Sequence, residues 1–325
     1  MDALSEALQS VRMTAAIFHN AEYTAPWGDA SPPAAEIASA LAPGFEHMVV
    51  FHLVTEGHAV ARMEGFPDMP LEAGDIVIIP HGDAHTLQNG SPAEFRRDDA
   101  AIRKFLAGDL SITRHGGGGE VTRFVCGYFG CERQACRLFL AGLPPMIRIN
   151  VRGDASGAWL ETSIRHLVSE TEAHNPGGMV LLSKMAEALF VEALRRFMRE
   201  MPEEETGWLA GARDPLVGAA LAAIHRHPHR HWTLPDLAAE AGTSRSVLSE
   251  RFHHFLGESP MNYLSRWRLQ LAARLLTGDR KTMIEVAMDV GYESEAAFNR
   301  AFKREFGFPP AQYRRSVAQR EATGA

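Results

Sequence analysis

Apolar positions follow two different periods along this chain, and the change falls near its middle. Between residues 45 and 130, short alternating or apolar runs (HMVVFHLV, HAVARME, GDIVIIP, TRFVCGYF) are separated by Gly, Pro, Asn and Asp. Period-two runs with frequent turn signals predict many short strands, hence a barrel or sandwich. Inside that stretch, residues 98–119 are polar and end in Gly116-Gly117-Gly118-Gly119. They read as a connector, because ordering a glycine run is entropically costly. Around Trp159 the period becomes helical: Leu160, Ile164, Leu167, Val168 and Thr171 share one stripe, and Asn175-Pro176-Gly177-Gly178 breaks it. A second helix is expected over 179–199 on Leu182, Met185, Leu189, Val191 and Leu194. Such an αα-hairpin can cover a sheet or pair with another subunit. The acidic stretch 201–207 reads as a linker.

From Asp214 the pattern is nearly all helical and is punctuated twice in the same way. Thr233 can cap a helix carrying Leu234, Leu237, Ala238 and Ala241; Gly242 permits a tight turn and Ser244 caps the next helix. There Val247, Leu248, Phe252 and Phe255 are expected inside, leaving Arg245, Ser246, Ser249 and Glu250 outside. In the second copy Ile284, Ala287 and Val290 pack, Gly291 turns, Ser294 caps, and Phe298 and Phe302 anchor the following helix. Its outer face holds Glu295, Ala296, Asn299, Arg300 and Lys303. A helix over 260–276, with Tyr263, Leu264, Trp267, Leu271 and Leu275 buried, joins the copies. Each is helix-turn-helix patterning, and two copies joined by one helix are far more specific than one.

Over about the last 110 residues the chain resembles the AraC/XylS family of bacterial regulators. The phrase GYESEAAFNRAFKREFG-x-PP-x-x-YRR carries most of that weight. The resemblance implies a monomer that lays two recognition helices into the major groove of double-stranded DNA, about 34 Å apart. Arg300 suits a guanine edge, Asn299 adenine, and Ser246 and Ser249 either. Arg245, Arg268 and Arg304 are expected on phosphates. Glu250 and Glu295 need a cytosine amine to offset repulsion from phosphate. The histidine-rich run 225–231 reads as a helix end and loop near the DNA backbone, since Pro228 breaks the spacing a metal pair would use.

Charge supports the division. The whole chain is −7, but from Arg213 onward 16 Lys+Arg face 12 Asp+Glu, a net +4 that leaves −11 on the rest. Charge asymmetry of this kind points to an anionic partner for the basic part.

Residues 74–89 read G-x5-P-x-G-x2-H-x3-N, from Gly74 through Pro80, Gly82 and His85 to Asn89. This looks like the second cupin signature with each fixed position filled. The strand 49–54, ending at Glu56-Gly57, resembles the end of the first signature. Its glutamate position is Val50, however, and its histidine positions near 43–45 hold unsuited residues. Of the usual metal ligands only His85 remains. His52, two residues from Val50, shares the inward face of its strand. A metal at His52 and His85 then needs a further ligand, with Cys126 or Cys131 nearest by chemistry. Without one, the two histidines form the polar end of an effector pocket walled by Val50, Val54, Ile76 and Ile78.

The expected architecture is therefore α+β. A cupin-like β-barrel with an αα-hairpin over 1–200 senses an effector and dimerises, 201–213 links, and 214–325 is an all-α domain with two helix-turn-helix units. The composition, 46% hydrophobic and 22% charged, is that of an ordinary globular protein. No run of about 18 apolar residues points to a membrane, and no secretion signal is evident. Three cysteines cannot build a disulfide framework, so the cytoplasm is the expected compartment. A sequence-specific regulator, not an enzyme, is the expected function; its partners are DNA, a small effector, a second copy of the chain and RNA polymerase. The alternative is a cupin metalloenzyme of dioxygenase or isomerase type fused to a DNA-binding module. It is disfavoured by the depleted first signature.

Overall fold

The computed structural model describes residues 2–10, 13–42, 45, 47–97, 99–131, 140, 142–152, 162, 163, 166, 169, 175–278 and 281–323. The chain divides into a sheet unit, Met13–Cys136 with Leu143–Met201, and a helical unit, Met1–Arg12 with Arg137–Gly142 and Pro202–Ala325.

The sheet unit has ten strands among the described residues. They are β1 (Met13–Thr24), β2 (Trp27–Ser31), β3 (His47–Glu56), β4 (His58–Arg62), β5 (Met69–Glu72), β6 (Asp75–Ile79), β7 (His85–Asn89), β8 (Thr113–Gly116), β9 (Val121–Cys131) and β10 (Ile147–Asn150). One sheet runs β10-β6-β3-β9-β1-β8, the other β2-β7-β4-β5. Alternation assigns the faces of the larger sheet. Val50 and Val54, with Val77, Ile79, Phe124 and Tyr128, join one buried cluster. Phe51, Leu53, Ile76, Ile78 and Phe129 turn the other way, toward a helix, α4 (Gly178–Glu200). Leu182, Ala186, Leu189, Phe190 and Ala193 form its buried stripe, and Phe190 lies 4.2 Å from Phe129 between ring centroids. Covering on both faces explains why β3 and β6 read as continuous apolar runs.

Two expectations change here. Residues 98–119 are more than a connector: α3 (Asp99–Leu106) and β8 lie within them. Two further helices, α1 (Ala3–Ser10) and α2 (Ala34–Leu41), carried too short a period to be read. The first helix of the expected hairpin, 159–171, falls almost wholly outside the described residues, while its second is α4.

In the helical unit, α5 (Trp208–Arg213), α6 (Pro215–Arg226), α7 (Leu234–Glu240), α8 (Arg245–Leu256), α9 (Pro260–Gly278), α10 (Met283–Asp289), α11 (Glu295–Phe306) and α12 (Pro310–Thr323) follow in order. Residues 201–213, expected as a linker, end in α5, whose Trp208, Leu209 and Ala210 are buried. Met1–Arg12, expected with the strands, belongs to this unit: Ala3, Leu4 and Ala7 are buried, and Glu6 Oε1 meets Arg226 Nε of α6 at 2.8 Å. Thr233 and Thr282 each close a capping box, with Asp236 and Glu285 respectively, while Ser244 and Ser294 accept from Val247 N–H and Ala297 N–H. Gly242 and Gly291 take φ of 65° and 84° at the two turns, a region open to glycine at little cost.

Candidate functional site

Strand register assembles the site in the sheet unit. Cys126 on β9 lies opposite His19 of β1 and His52 of β3, so three side chains share one cross-strand row. His85 arrives from the second sheet, where β7 pairs with β2 and β4. His52 sits between the two others: its Nδ1 lies 2.6 Å from Cys126 Sγ and its Nε2 2.7 Å from His85 Nε2. All three are buried.

One backbone carbonyl fixes every proton in this chain. His85 Nδ1 is 2.8 Å from Asp83 O, and a carbonyl only accepts, so Nδ1 carries the hydrogen. In a neutral ring His85 Nε2 must then accept, His52 Nε2 must donate, and His52 Nδ1 is left to accept from the Cys126 thiol. This assignment needs both rings neutral. Burial pushes the His52 pKa well below its usual 6.5, reinforced by repulsion from His85 and His19. Burial also lowers the His85 pKa, against an opposing pull from the Asp83 carbonyl and carboxylate. Nearby, His19 Nε2 lies 3.0 Å from Tyr23 Oη.

The row lines a cleft of about 530 Å³, open mouth included, through His19, His52 and Cys126. Its apolar wall comprises Ala30, Pro32, Ile37, Val50, Ala101 and Ile102, with Asp29, Ser31 and Arg97 adding polar groups. Of the expected walls Val50 lines it, whereas Ile76 and Ile78 face α4 instead. The reason is register: His52 pairs with Val77, so Ile76 and Ile78 project to the opposite face. As metal ligands these residues fit poorly. Cys126 and His85 address opposite edges of the His52 ring, so no single ion can be bound by all three through His52. No group of three metal-ligating side chains occurs among the described residues.

In the helical unit, Arg245, Ser246 and Glu250 of α8 are exposed and Ser249 is half-buried. On α11, Glu295, Ala296, Arg300 and Lys303 are exposed and Asn299 is half-buried. Leu248, Phe252, Phe298 and Phe302 anchor the opposite faces, each fully buried. A cupin family model matches residues 2–199, and a helix-turn-helix domain family model matches residues 237–316. An AraC-like transcription regulator of Streptomyces lividans is 35% identical over 274 residues, covering 82% of this chain and 87% of that protein. The chain belongs to the AraC-like family of transcription regulators. The regulator AlkR of Acinetobacter baylyi is 30% identical, with 82% of this chain and 87% of that one covered. Among solved structures, the DNA-binding domain of AdpA in complex with a target DNA is 34% identical, covers 33% of this chain and 96% of its own, and gives a TM-score of 0.32.

Like its relatives, this AraC-type regulator carries a DNA-binding helix-turn-helix region, but its sequence misled in some details. Val247, expected inside, is 39% exposed on α8, because Leu248 and Phe252 already fill the interior stripe. Arg268, expected on phosphate, is half-buried and donates to Pro228 O and Arg230 O, both at 2.7 Å. In the histidine run, His225 is buried: it stacks on Trp267 at 4.1 Å and meets Tyr263 Oη at 2.7 Å. Burial pushes its pKa down to about 3. His19 was also missed, since only register puts it beside Cys126. The alternation Phe124, Cys126, Tyr128 was the one available signal for the thiol. Cys131 is disulfide-bonded, a pairing not expected from three cysteines.

Proposed function

We propose that this regulator reads DNA with the exposed faces of α8 and α11 and that occupation of the sheet-unit cleft controls the response. On α11, Arg300 and Asn299 address base edges, with Lys303 and Arg304 on phosphates; on α8, Ser246 and Ser249 address bases and Arg245 a phosphate. What supports the DNA reading is phase: anchoring by Phe298 and Phe302 leaves Arg300 and Lys303 exposed on their helix. The effector reading rests on a largely apolar cleft into which buried His52 and Cys126 project, with His85 behind them outside the lining, since small-molecule sites are mostly apolar with a few fixed polar groups. The working form on DNA is a homodimer that acts through RNA polymerase.

Selection of bound sequences from a random DNA pool by the full-length protein, followed by anisotropy titrations, tests the first half. Arg300→Ala weakens the selected site and relaxes one position, whereas Lys303→Ala weakens all sequences alike and flattens the salt dependence. Equal losses on selected and random DNA for Arg300→Ala would overturn the base-reading assignment. For the second half, His85→Asn removes the reporter response but keeps DNA affinity within about threefold, or ~0.7 kcal/mol. A normal response in that variant defeats it.

A further inference from the structure

The cleft ends on a nucleophile, not merely on a polar group. Cys126 is a reduced thiol, lines the cleft, and sits 2.6 Å from the one His52 nitrogen that can take its proton. His85 behind it receives the other His52 N–H, and the Asp83 carbonyl holds His85 in the necessary tautomer. Nucleophile, base and orienting group in hydrogen-bond sequence is the arrangement that activates a weak nucleophile. Nothing in the packing requires it: a buried cysteine serves a core as a small apolar residue and needs no imidazole. The wall before the sulfur, with Ile37, Val50, Ala101 and Ile102, selects a small organic molecule with an apolar body.

We infer that the cleft captures soft carbon electrophiles, of the α,β-unsaturated carbonyl class, by covalent addition to Cys126. This rests on the effector-pocket reading and gives that pocket a ligand chemistry. The step balances without any co-reactant. The sulfur forms a bond to the β-carbon as the carbon–carbon π bond breaks. The thiol proton passes to His52 Nδ1 and from there to the α-carbon, so that S–H adds across the double bond. While His52 carries the extra proton, its Nε2–H remains directed at the His85 lone pair. His85 is therefore a positioning residue: it keeps the basic nitrogen of His52 turned to the sulfur.

The test uses full-length protein with N-ethylmaleimide as the electrophile and N-ethylsuccinimide as its unreactive counterpart of similar shape. Peptide mass mapping at neutral pH is expected to find an adduct at Cys126 in the native protein, formed at a rate that depends on His52. Cys126→Ser keeps its circular dichroism spectrum and takes up no label there. His52→Gln slows labelling about tenfold with the spectrum unchanged. In His85→Asn labelling is slowed less, and His85→Gln restores part of the rate if its amide accepts from His52. Native protein that is unlabelled at Cys126 while urea-unfolded protein labels readily overturns the inference, as does an unchanged rate in His52→Gln. Formation of a dimedone-trapped sulfenic acid with peroxide, without any maleimide adduct, also overturns it, because the thiol then answers oxidants. The succinimide separates the two readings. If it raises the melting temperature and the maleimide leaves Cys126 untouched, the pocket stands and the covalent step falls. If neither binds, both fall.

Discussion

The two helix-turn-helix copies share their punctuation and differ in what holds them. Both open on a threonine capping box, turn on a left-handed glycine, and start the second helix on a serine cap. In the first copy polar, long-range contacts add to the apolar anchors Leu248 and Phe252. Arg251 of α8 pairs with Asp214, which also caps α6 by accepting from Leu216 N–H and Val217 N–H. At the far end of α6 His225 is sandwiched by aromatic rings, and Trp208 Nε1 donates to Tyr263 Oη at 2.7 Å. In the second copy the anchors are rings: Phe302 lies 5.5 Å from Phe298, 4.3 Å from Phe306 and 5.6 Å from Tyr313. One signature can thus rest on two kinds of support, and they respond differently to acid. The ring contacts of the second copy take up no proton in acid, whereas the Asp214 carboxylate and the neutral His225 of the first copy each have a protonation state to lose.

The largest effect expected is Phe302→Ala, which opens a cavity at the centre of the ring cluster and costs about 3–5 kcal/mol in urea denaturation. A loss below ~1 kcal/mol would show that the second copy does not depend on its rings. Acid should separate the copies next. The folded His225 pKa of about 3 lies below its usual 6.5, so the unfolded chain binds the extra proton first. Its contribution is complete above pH 6.5 and declines as the pH falls toward 3, with a slope of about 1.4 kcal/mol per pH unit. Between pH 6.5 and 5 this amounts to ~2 kcal/mol, absent from His225→Phe in parallel urea melts. At lower pH Asp214 adds to the loss. Burial raises its pKa, but Arg251 and two backbone N–H groups outweigh burial and leave it lowered. Its stabilisation is present above the normal carboxylate range and disappears below it.

On DNA, the difference to sharpen is one of charge. The α11 face presents Arg300, Lys303 and Arg304, whereas Arg251 on α8 is committed to Asp214. Arg300→Ala is expected to cost ~1–3 kcal/mol on a selected site, and Ser246→Ala under ~1 kcal/mol, in anisotropy titrations. A reversed order would make α8 the dominant reader. Smallest of all, Thr233→Ala and Thr282→Ala should each cost ~1 kcal/mol and by the same amount, since the two caps have the same geometry. Unequal losses in thermal melts would mean that the shared punctuation conceals a further difference.

What could be read from the sequence tracks the range of the interactions. Caps, turn glycines and ring pairs act within four residues, so Thr233, Ser244, Gly242, Ser294 and Phe298/Phe302 declared themselves. The cupin signature was legible for the same reason, with Gly74, Pro80 and Gly82 making local turns around β6. His52 and His85 were placed together because alternation gives the face and the signature gives the inward position. Register was not legible. Nothing local states that Cys126 lies opposite both His19 and His52, or that His52 opposes Val77, and this is why Ile76 and Ile78 were put on the wrong wall. Arg268 looked like a phosphate ligand because its carbonyl partners lie about forty residues away. A fragment beginning at residue 214 would similarly lose the Trp208–Tyr263 bond, which the linker reading hid.

The placement of α1 has a consequence for how the chain comes into being. Glu6 and Arg226 are separated by 220 residues, with the whole sheet unit between them. During synthesis the first helix leaves the ribosome long before its docking surface on α6 exists. Eight residues alone make a marginal helix, so its apolar face, Ala3, Leu4 and Ala7, has no permanent shelter in the meantime. Closing so long a loop adds little entropy beyond that of a loop half the length, about 0.6 kcal/mol, but it makes the contact non-local and hence late. The same short span makes it the segment expected to detach first by local opening. Hydrogen exchange at α1 therefore dates the last step of assembly and, in the finished molecule, its first step of undoing.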